Sequence, residues 1–137
     1  MKSVILPINP IYANAIIDGK ERIVFRKKIF KEEVDKIFVY IPNPERIIIG
    51  YFTIDLITEH PPEIIWNNCG HIAGVEKEDF FNYFKGSRSG LVIYIDEVVK
   101  FKEELFPEEF IPNFRPPRAF CYISDDIANK LINNGLK

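Results

Sequence analysis

Residues 46–58, Arg-Ile-Ile-Ile-Gly-Tyr-Phe-Thr-Ile-Asp-Leu-Ile-Thr, are too rich in β-branched and aromatic side chains to read as anything but a strand. The run is longer than a strand of ordinary length, and both of its faces are apolar. Alternation sets Ile48, Phe52, Ile54 and Leu56 in one row and Ile47, Ile49, Tyr51 and Ile57 in the other. Such a strand needs cover on both sides. Gly50 interrupts it, and a glycine inside a β-branched run marks a bulge or sharp bend. Bends of this kind curl a sheet toward closure, so the expectation is a small β-barrel that turns at Gly50.

The rest of the chain supplies partners for that strand. Ser3–Ile8 reads as a short buried strand. Pro10 opens a helix that runs to about Asp18, with Gly19 as its stop. Arg22–Lys27 is a strand whose alternation places Arg22, Val24 and Arg26 on one face. Ile29–Lys36 is short and charged, enough for one helical turn, and Asp35–Ile41 is the next strand, ended by Pro42-Asn43-Pro44. Two helices follow the long strand, at Pro62–Asn68 and Glu76–Lys85, the second stopped by Gly86. Gly90–Val98 and Arg118–Ile123 are strands, separated by a proline-rich loop at 107–117. A last helix runs to Asn133, capped by Ser124 or Asp125.

With no repeat, linker or low-complexity tract, 137 residues make one domain, residues 1–137. The class is α+β, with a mixed, mainly antiparallel small barrel flanked by short helices. Twelve Phe and six Tyr suit a compact core of this kind. No apolar run is long enough to span a bilayer, and the first seven residues stop too soon for a signal peptide, so no membrane is expected. Two cysteines are too few for a disulfide scaffold, which makes a reducing cytoplasm the default location.

The net charge of −2 argues against general nucleic-acid coating, but its distribution is uneven. Residues 1–40 carry eight Lys/Arg against five Asp/Glu, residues 41–110 six against thirteen, and residues 111–137 four against two. If the two ends meet in space they form a local basic surface on an acidic body.

The segment Pro10-Ile11-Tyr12-Ala13, followed by Gly19-Lys20-Glu21-Arg22-Ile23-Val24-Phe25-Arg26-Lys27, resembles the ASCH family of PUA-like domains. The likeness extends through Trp66, Phe80-Phe81-Asn82-Tyr83-Phe84 and Pro117–Tyr122, and so covers about residues 3–123. This longer layout looks like archaeal proteins described as transcriptional regulators. The family hallmark is G-x-K-x-x-E-x-R. Gly19 and Arg26 match it, while Glu21 stands at the lysine position and Val24 at the glutamate position. The resemblance implies a PUA-like fold and recognition of RNA or a nucleotide-like small molecule. Some small members are amidohydrolases that use a lysine, a threonine and a glutamate from this motif. Glu21, Arg22 and Val24 stand there instead, which leans against an enzyme and against turnover of N4-acylated cytidines.

The expected binding residues are therefore Tyr12, Lys20, Arg22, Arg26, Arg118 and Tyr122. An arginine can fork onto a phosphate or stack on a base, and a tyrosine can stack one. Arg22 and Arg26 should point into a cleft walled by the first helix, with Lys20 and Tyr12 at its mouth. The alternatives are solvated arginines, or pairs with Glu32, Glu33 and Asp35. Cys69, His71 and His60 are one short of the four ligands a structural zinc wants, so neither metal nor cofactor is expected. Asp55 and Asp96 are the remaining strand carboxylates able to share a cleft.

Overall fold

The computed structural model describes residues 1–28 and 30–137. Six strands are formed among them: β1 (Lys2–Pro7), β2 (Ile23–Arg26), β3 (Val34–Ile41), β4 (Ile47–His60), β5 (Gly90–Leu105) and β6 (Cys121–Ile123). Four helices accompany them: α1 (Pro10–Ile17), α2 (Pro62–Cys69), α3 (Lys77–Tyr83) and α4 (Asp125–Gly135). A 3-10 turn at Pro107–Glu109 follows β5. The strands form one sheet in the order β2-β5-β4-β3-β1-β6. β1 and β3 run parallel, and every other neighbouring pair is antiparallel. No described helix is long and apolar enough to cross a membrane.

The long strand behaves as its sequence demands. β4 slips register against β3 between Val39 and Tyr40, and against β5 between Ile48 and Gly50. Gly50 therefore sits at a bulge. Two further slips, Phe52/Ile54 and Ile54/Leu56, continue the bend. Each slip shifts the side-chain phase, so the strict two-row expectation fails. Ile48 and Tyr51 join the core on one face of the sheet, whereas Ile47, Ile49, Phe52, Ile54 and Ile57 join the other, and Leu56 is exposed.

The sheet curls but does not close, which corrects the barrel expectation. β2 and β6 are its edges and do not pair with each other. β2 and β1 lie four strand positions apart, roughly 19 Å in a flat sheet. Yet the Arg26 guanidinium on β2 donates a hydrogen bond to the Pro7 carbonyl at the end of β1. The face between them is occupied by α1, whose Ala13, Ile16 and Ile17 are buried against Val4, Leu6, Val24, Val39, Phe52 and Ile93. A small closed barrel has room inside only for side chains, so the helix holds the seam open.

On the opposite face α4 packs Ala128 and Leu131 against Ile5, Phe38, Tyr40, Ile48 and Phe101. Ser124 caps it, accepting from the Ile127 N–H at 3.3 Å. A third cluster seats Ile65 and Cys69 of α2 and Phe80 of α3, with Phe84 just beyond it, on Ile23 and Val92. β1 pairs with β6, so the two ends of the chain do meet. The helical turn expected at 29–36 is absent from its described part: residues 31–32 bend and β3 begins at Val34, while Ile29 lies outside the described residues.

Gly50 has no room for a side chain. A Cβ there would strike the Val99 carbonyl oxygen and come within 2.9 Å of Ile17 Cδ1, at a φ of +159°. Gly50→Ala is expected to lower unfolding free energy by about 1–3 kcal/mol through overpacking. Chemical denaturation checks this; an unchanged midpoint would mean that the bulge is not tight.

Candidate functional site: a cavity at the open seam

The unclosed seam holds a cavity of about 290 Å³. Its walls are Pro7, Ile8 and Asn9 at the end of β1, Tyr12 and Ile16 of α1, Glu21, and β2 from Ile23 to Arg26. Gly74, Val75 and the α3 residues Asp79, Phe80 and Tyr83 complete it. The floor and sides are largely apolar and aromatic, with a few polar groups converging on the space, as small-ligand sites generally are.

Local structure places each polar group. Asn9 caps α1, its Oδ1 accepting from the Ile11 N–H at 3.0 Å, and Pro10 fits the first turn. At the other end Gly19 takes φ +79°, and the Lys20 and Glu21 N–H groups both donate to the Ala15 carbonyl. That turn brings Glu21 under the helix, where it is only 8% exposed. Glu21 Oε2 accepts from the Gly74 N–H at 2.7 Å, whereas Oε1 is buried and receives no hydrogen bond from the described residues. Gly74 permits this approach, because a Cβ there would collide with Oε2. Burial pushes the Glu21 carboxyl above its ordinary pKa, partly offset by the Gly74 hydrogen bond and by the nearby Ile23 and Arg22 N–H groups, which act on the carboxylate without completing a hydrogen bond to it.

Arg26 faces the same space. One terminal nitrogen is spent on the Pro7 carbonyl, and its buried Nε has no partner. Glu32, Glu33 and Asp35 make no described ion pair with it; Asp35 pairs instead with Lys36 at 2.6 Å. The aromatic wall is closely packed. Phe25 meets Phe80 edge-on at 5.0 Å, Phe80 lies 4.9 Å from Phe84 with the rings tilted by 60°, and Tyr83 carries the Lys27 ammonium 4.7 Å above its ring.

Of the six expected residues, the cavity gathers Tyr12 and Arg26. Lys20 is exposed and does not line it. Arg22 diverges from Arg26: it stands at the end of the β2 ladder, where its carbonyl accepts from the Ile95 N–H. Its guanidinium lies along β5, donating to the Ile95 carbonyl at 3.0 Å and to the Asp96 carbonyl. Arg118 is exposed on the loop before β6. The Tyr122 hydroxyl accepts from the Lys31 and Glu32 N–H groups at 2.7 and 3.2 Å, which ties a loop down. Asp55 and Asp96 are exposed and outside the cavity.

Cys69 is buried, its Sγ 3.4 Å from the Tyr94 hydroxyl. The described residues hold no group of three His, Cys, Asp or Glu able to ligate a metal ion. Sequence reasoning missed Gly74, Asp79 and Tyr83 as site residues, and reaches Asn9 and Glu21 only as departures from positions where the resembled family has a lysine. A signal existed for Glu21 alone: a carboxylate two residues past a helix-stopping glycine, at the entry to a strand.

Residues 1–114 match the family model described as Domain of unknown function (DUF365). The chain is 22% identical, over 135 residues, to an ASCH domain-containing ribonuclease of Zymomonas mobilis, covering 96% of this chain and 91% of that relative. The crystal structure of ASCH from Zymomonas mobilis superposes with a TM-score of 0.88 at 21% identity, covering 96% of this chain and 94% of that one. The N-terminal domain of Staphylothermus marinus McrB superposes with a TM-score of 0.62 at 13% identity, over 97% and 94%. The chain thus has the ASCH fold.

The raised Glu21 carboxyl carries a stability consequence. The folded state holds this proton more tightly than the unfolded state, so the contribution is complete below the ordinary carboxyl pKa. It is lost as pH rises through the raised native value. Glu21→Gln keeps an acceptor for Gly74 and removes the titration. Its melting temperature should gain on that of the parent as pH is raised from about 4 to about 8. A constant difference across that range would mean that Glu21 is not desolvated.

Proposed function

This chain belongs to the DUF365 family, and we propose that it is an RNA-binding domain that takes a single unstacked nucleotide into the seam cavity. One observation carries the reading. Two buried polar atoms of opposite hydrogen-bonding sense, Glu21 Oε1 and Arg26 Nε, are left unpartnered among the described residues, on side chains that line a cavity also walled by Tyr12, Phe80 and Tyr83. Desolvated donors and acceptors cost free energy until a ligand completes them. A nucleobase supplies both kinds of group on one edge and a π-face for the rings, and single-stranded RNA presents such bases splayed out. The Zymomonas mobilis relative, an ASCH domain-containing ribonuclease, supports RNA as the substrate class.

The basic residues outside the cavity fit the same picture. Lys20 and Arg118 are exposed and could meet phosphates along the strand, as could Lys27 where its ammonium extends over Tyr83. A regulatory role, in which occupancy rather than turnover is the output, needs nothing more. A second reading, RNA cleavage, is favoured by the relative's name and by a carboxyl whose raised pKa suits a general acid.

Single-stranded RNA should bind more tightly than a duplex of the same sequence, with an affinity that falls as salt is raised. Tyr12→Ala should cost about 1–3 kcal/mol of binding through lost stacking. Arg26→Ala should cost about 1.5–3 kcal/mol, and part of its effect will appear as a lower melting temperature because the Pro7 tether goes with it. Affinity unchanged in both variants while they remain folded would remove the cavity from RNA binding. Following the same RNA for cleavage separates the two readings: turnover by the parent that vanishes in Glu21→Ala would establish the second.

A further inference from the structure

We infer that the RNA chain leaves the seam cavity over the shared end of β2 and β5, where Lys27, Lys28, Lys85 and Arg88 form a track for its phosphates. The inference rests on the RNA reading above and adds which way the strand runs and what holds its backbone.

The fold brings these four residues to one place. β2 and β5 pair antiparallel, and their last pair at this end is Arg26 with Leu91. Lys27 and Lys28 continue one chain beyond that pair, and Arg88 precedes it on the other. With consecutive Cα atoms about 3.8 Å apart, Lys28 lies within about 8 Å of Arg26 and Arg88 within about 12 Å of Leu91. The turn after α3 folds onto the same end. The Lys85 N–H donates to the Asn82 carbonyl at 3.3 Å, and the Ser87 N–H to the Phe84 carbonyl at 2.8 Å. The Phe84 ring is so close to Gly90 that a Cβ there would fall 2.5 Å from it, and it meets Phe25 of β2 edge-on at 6.3 Å. All four cationic side chains are exposed, and none makes an ion pair among the described residues.

Charge is distributed differently here from the rest of the chain. Residues 22–31 and 80–95 contain no aspartate or glutamate, although the net charge is −2. The carboxylate opposite in register is Glu59 of β4, paired with Leu91, and it already accepts from the Ser89 hydroxyl at 2.9 Å. Elsewhere cations stand beside carboxylates. Lys36 and Lys100 pair with Asp35 and Asp18, and Lys102 is followed by Glu103 and Glu104. A phosphate chain drawn to an acidic molecule is therefore drawn to this end.

The track starts at the cavity wall. Tyr83 and Arg26 both line the cavity; Lys27 follows Arg26 in the chain, and its ammonium lies 4.7 Å from the centre of the Tyr83 ring. A nucleotide seated in the cavity has Lys27 at its edge, and the phosphates that follow meet Lys28, Lys85 and Arg88. The cations are spread over two segments rather than gathered at one point. That arrangement suits successive phosphates of a single strand better than one isolated phosphate.

The test uses the full chain and a fluorescein-labelled single-stranded RNA of mixed sequence, about ten nucleotides long, with anisotropy followed across salt. Lys28→Ala, Lys85→Ala and Arg88→Ala are combined in one variant, and Lys27 is kept for its contact with Tyr83. A charge-matched control combines Lys102→Ala on the distal half of β5 with Lys130→Ala on α4 and Lys137→Ala. All six side chains are exposed, so both variants should melt with the parent. Each phosphate contact on a single strand contributes roughly 0.7 to the logarithmic salt slope. The first variant should therefore lose about two units of slope and at least about tenfold in affinity at about 50 mM salt, with the control close to the parent. Should the triple variant melt early, Lys28→Ala and Arg88→Ala singly decide in its place, each expected to lose about 0.7 of slope. An unchanged slope, with Tyr12→Ala still weakening binding, overturns the track and leaves the cavity as an RNA site. Equal losses in the variant and the control overturn it too, as an effect of net charge alone. Binding of the parent to phosphatidylserine vesicles that the first variant abolishes, with RNA affinity untouched, gives the patch to a membrane and overturns the inference. Binding indifferent to both Tyr12→Ala and Arg26→Ala, or no RNA binding at all, removes the RNA reading and this inference with it.

Discussion

A helix lodged against the curled face of a six-stranded sheet leaves the two edge strands with nothing to pair to, and the remaining features follow from that exclusion. β4 and β5 are long, and their register slips bend the sheet until β2 comes back to the end of β1. Closure there would need a continuous ladder. α1 supplies apolar side chains instead, and the last stitch is one charge-assisted bond from Arg26 to a backbone carbonyl. A side chain spans a wider gap than a ladder does, and the space left over is the cavity. Gly50 belongs to the same constraint: the bulge brings β5 so close that only a bare backbone fits beneath Ile17 of α1.

The cavity is unlike the usual electrostatic footprint of a nucleic-acid-binding surface. The chain is acidic overall, and Glu21 and Asp79 oppose a single arginine at the site itself. Counterion release from phosphates cannot dominate at such a place. What the site offers is aromatic stacking area and buried hydrogen-bonding groups rather than charge. On the proposed RNA reading, charge that meets the phosphate chain has to come from exposed lysines and arginines outside the cavity.

Elements set by strong local chemistry were legible in the sequence. The Pro10 and Gly19 limits of α1, the Gly50 bulge and the Ser124 cap each depend on one residue whose backbone or capping behaviour leaves few options. Closure was not legible, because nothing in β2 reveals that a helix will occupy the seam. The face of Arg22 failed for a narrower reason. Arg22 sits at the very end of the β2 ladder, its carbonyl accepting from the Ile95 N–H, and there its side chain is drawn along β5 to the Ile95 and Asp96 carbonyls. Glu21 was hidden by its partner. Its buried position depends on Gly74, 53 residues on, in a loop between two helices that carries no periodic signal.

That pairing also accounts for the departure from the motif this chain otherwise resembles. At the position where the ASCH hallmark places a lysine, the group here must accept a hydrogen bond from the Gly74 N–H. An ammonium has three donors and no acceptor, so it would set donor against donor in a half-dry pocket. Glutamate and the bare glycine therefore form one unit, and changing either alone strands a buried polar atom. The curled sheet, the helix stop at Gly19 and the arginine at 26 do not depend on which charge sits at residue 21. The fold can thus be kept while the hydrogen-bonding polarity of its cavity is reversed, and a scaffold shared with an RNA-cleaving relative does not by itself carry that relative's chemistry into this chain.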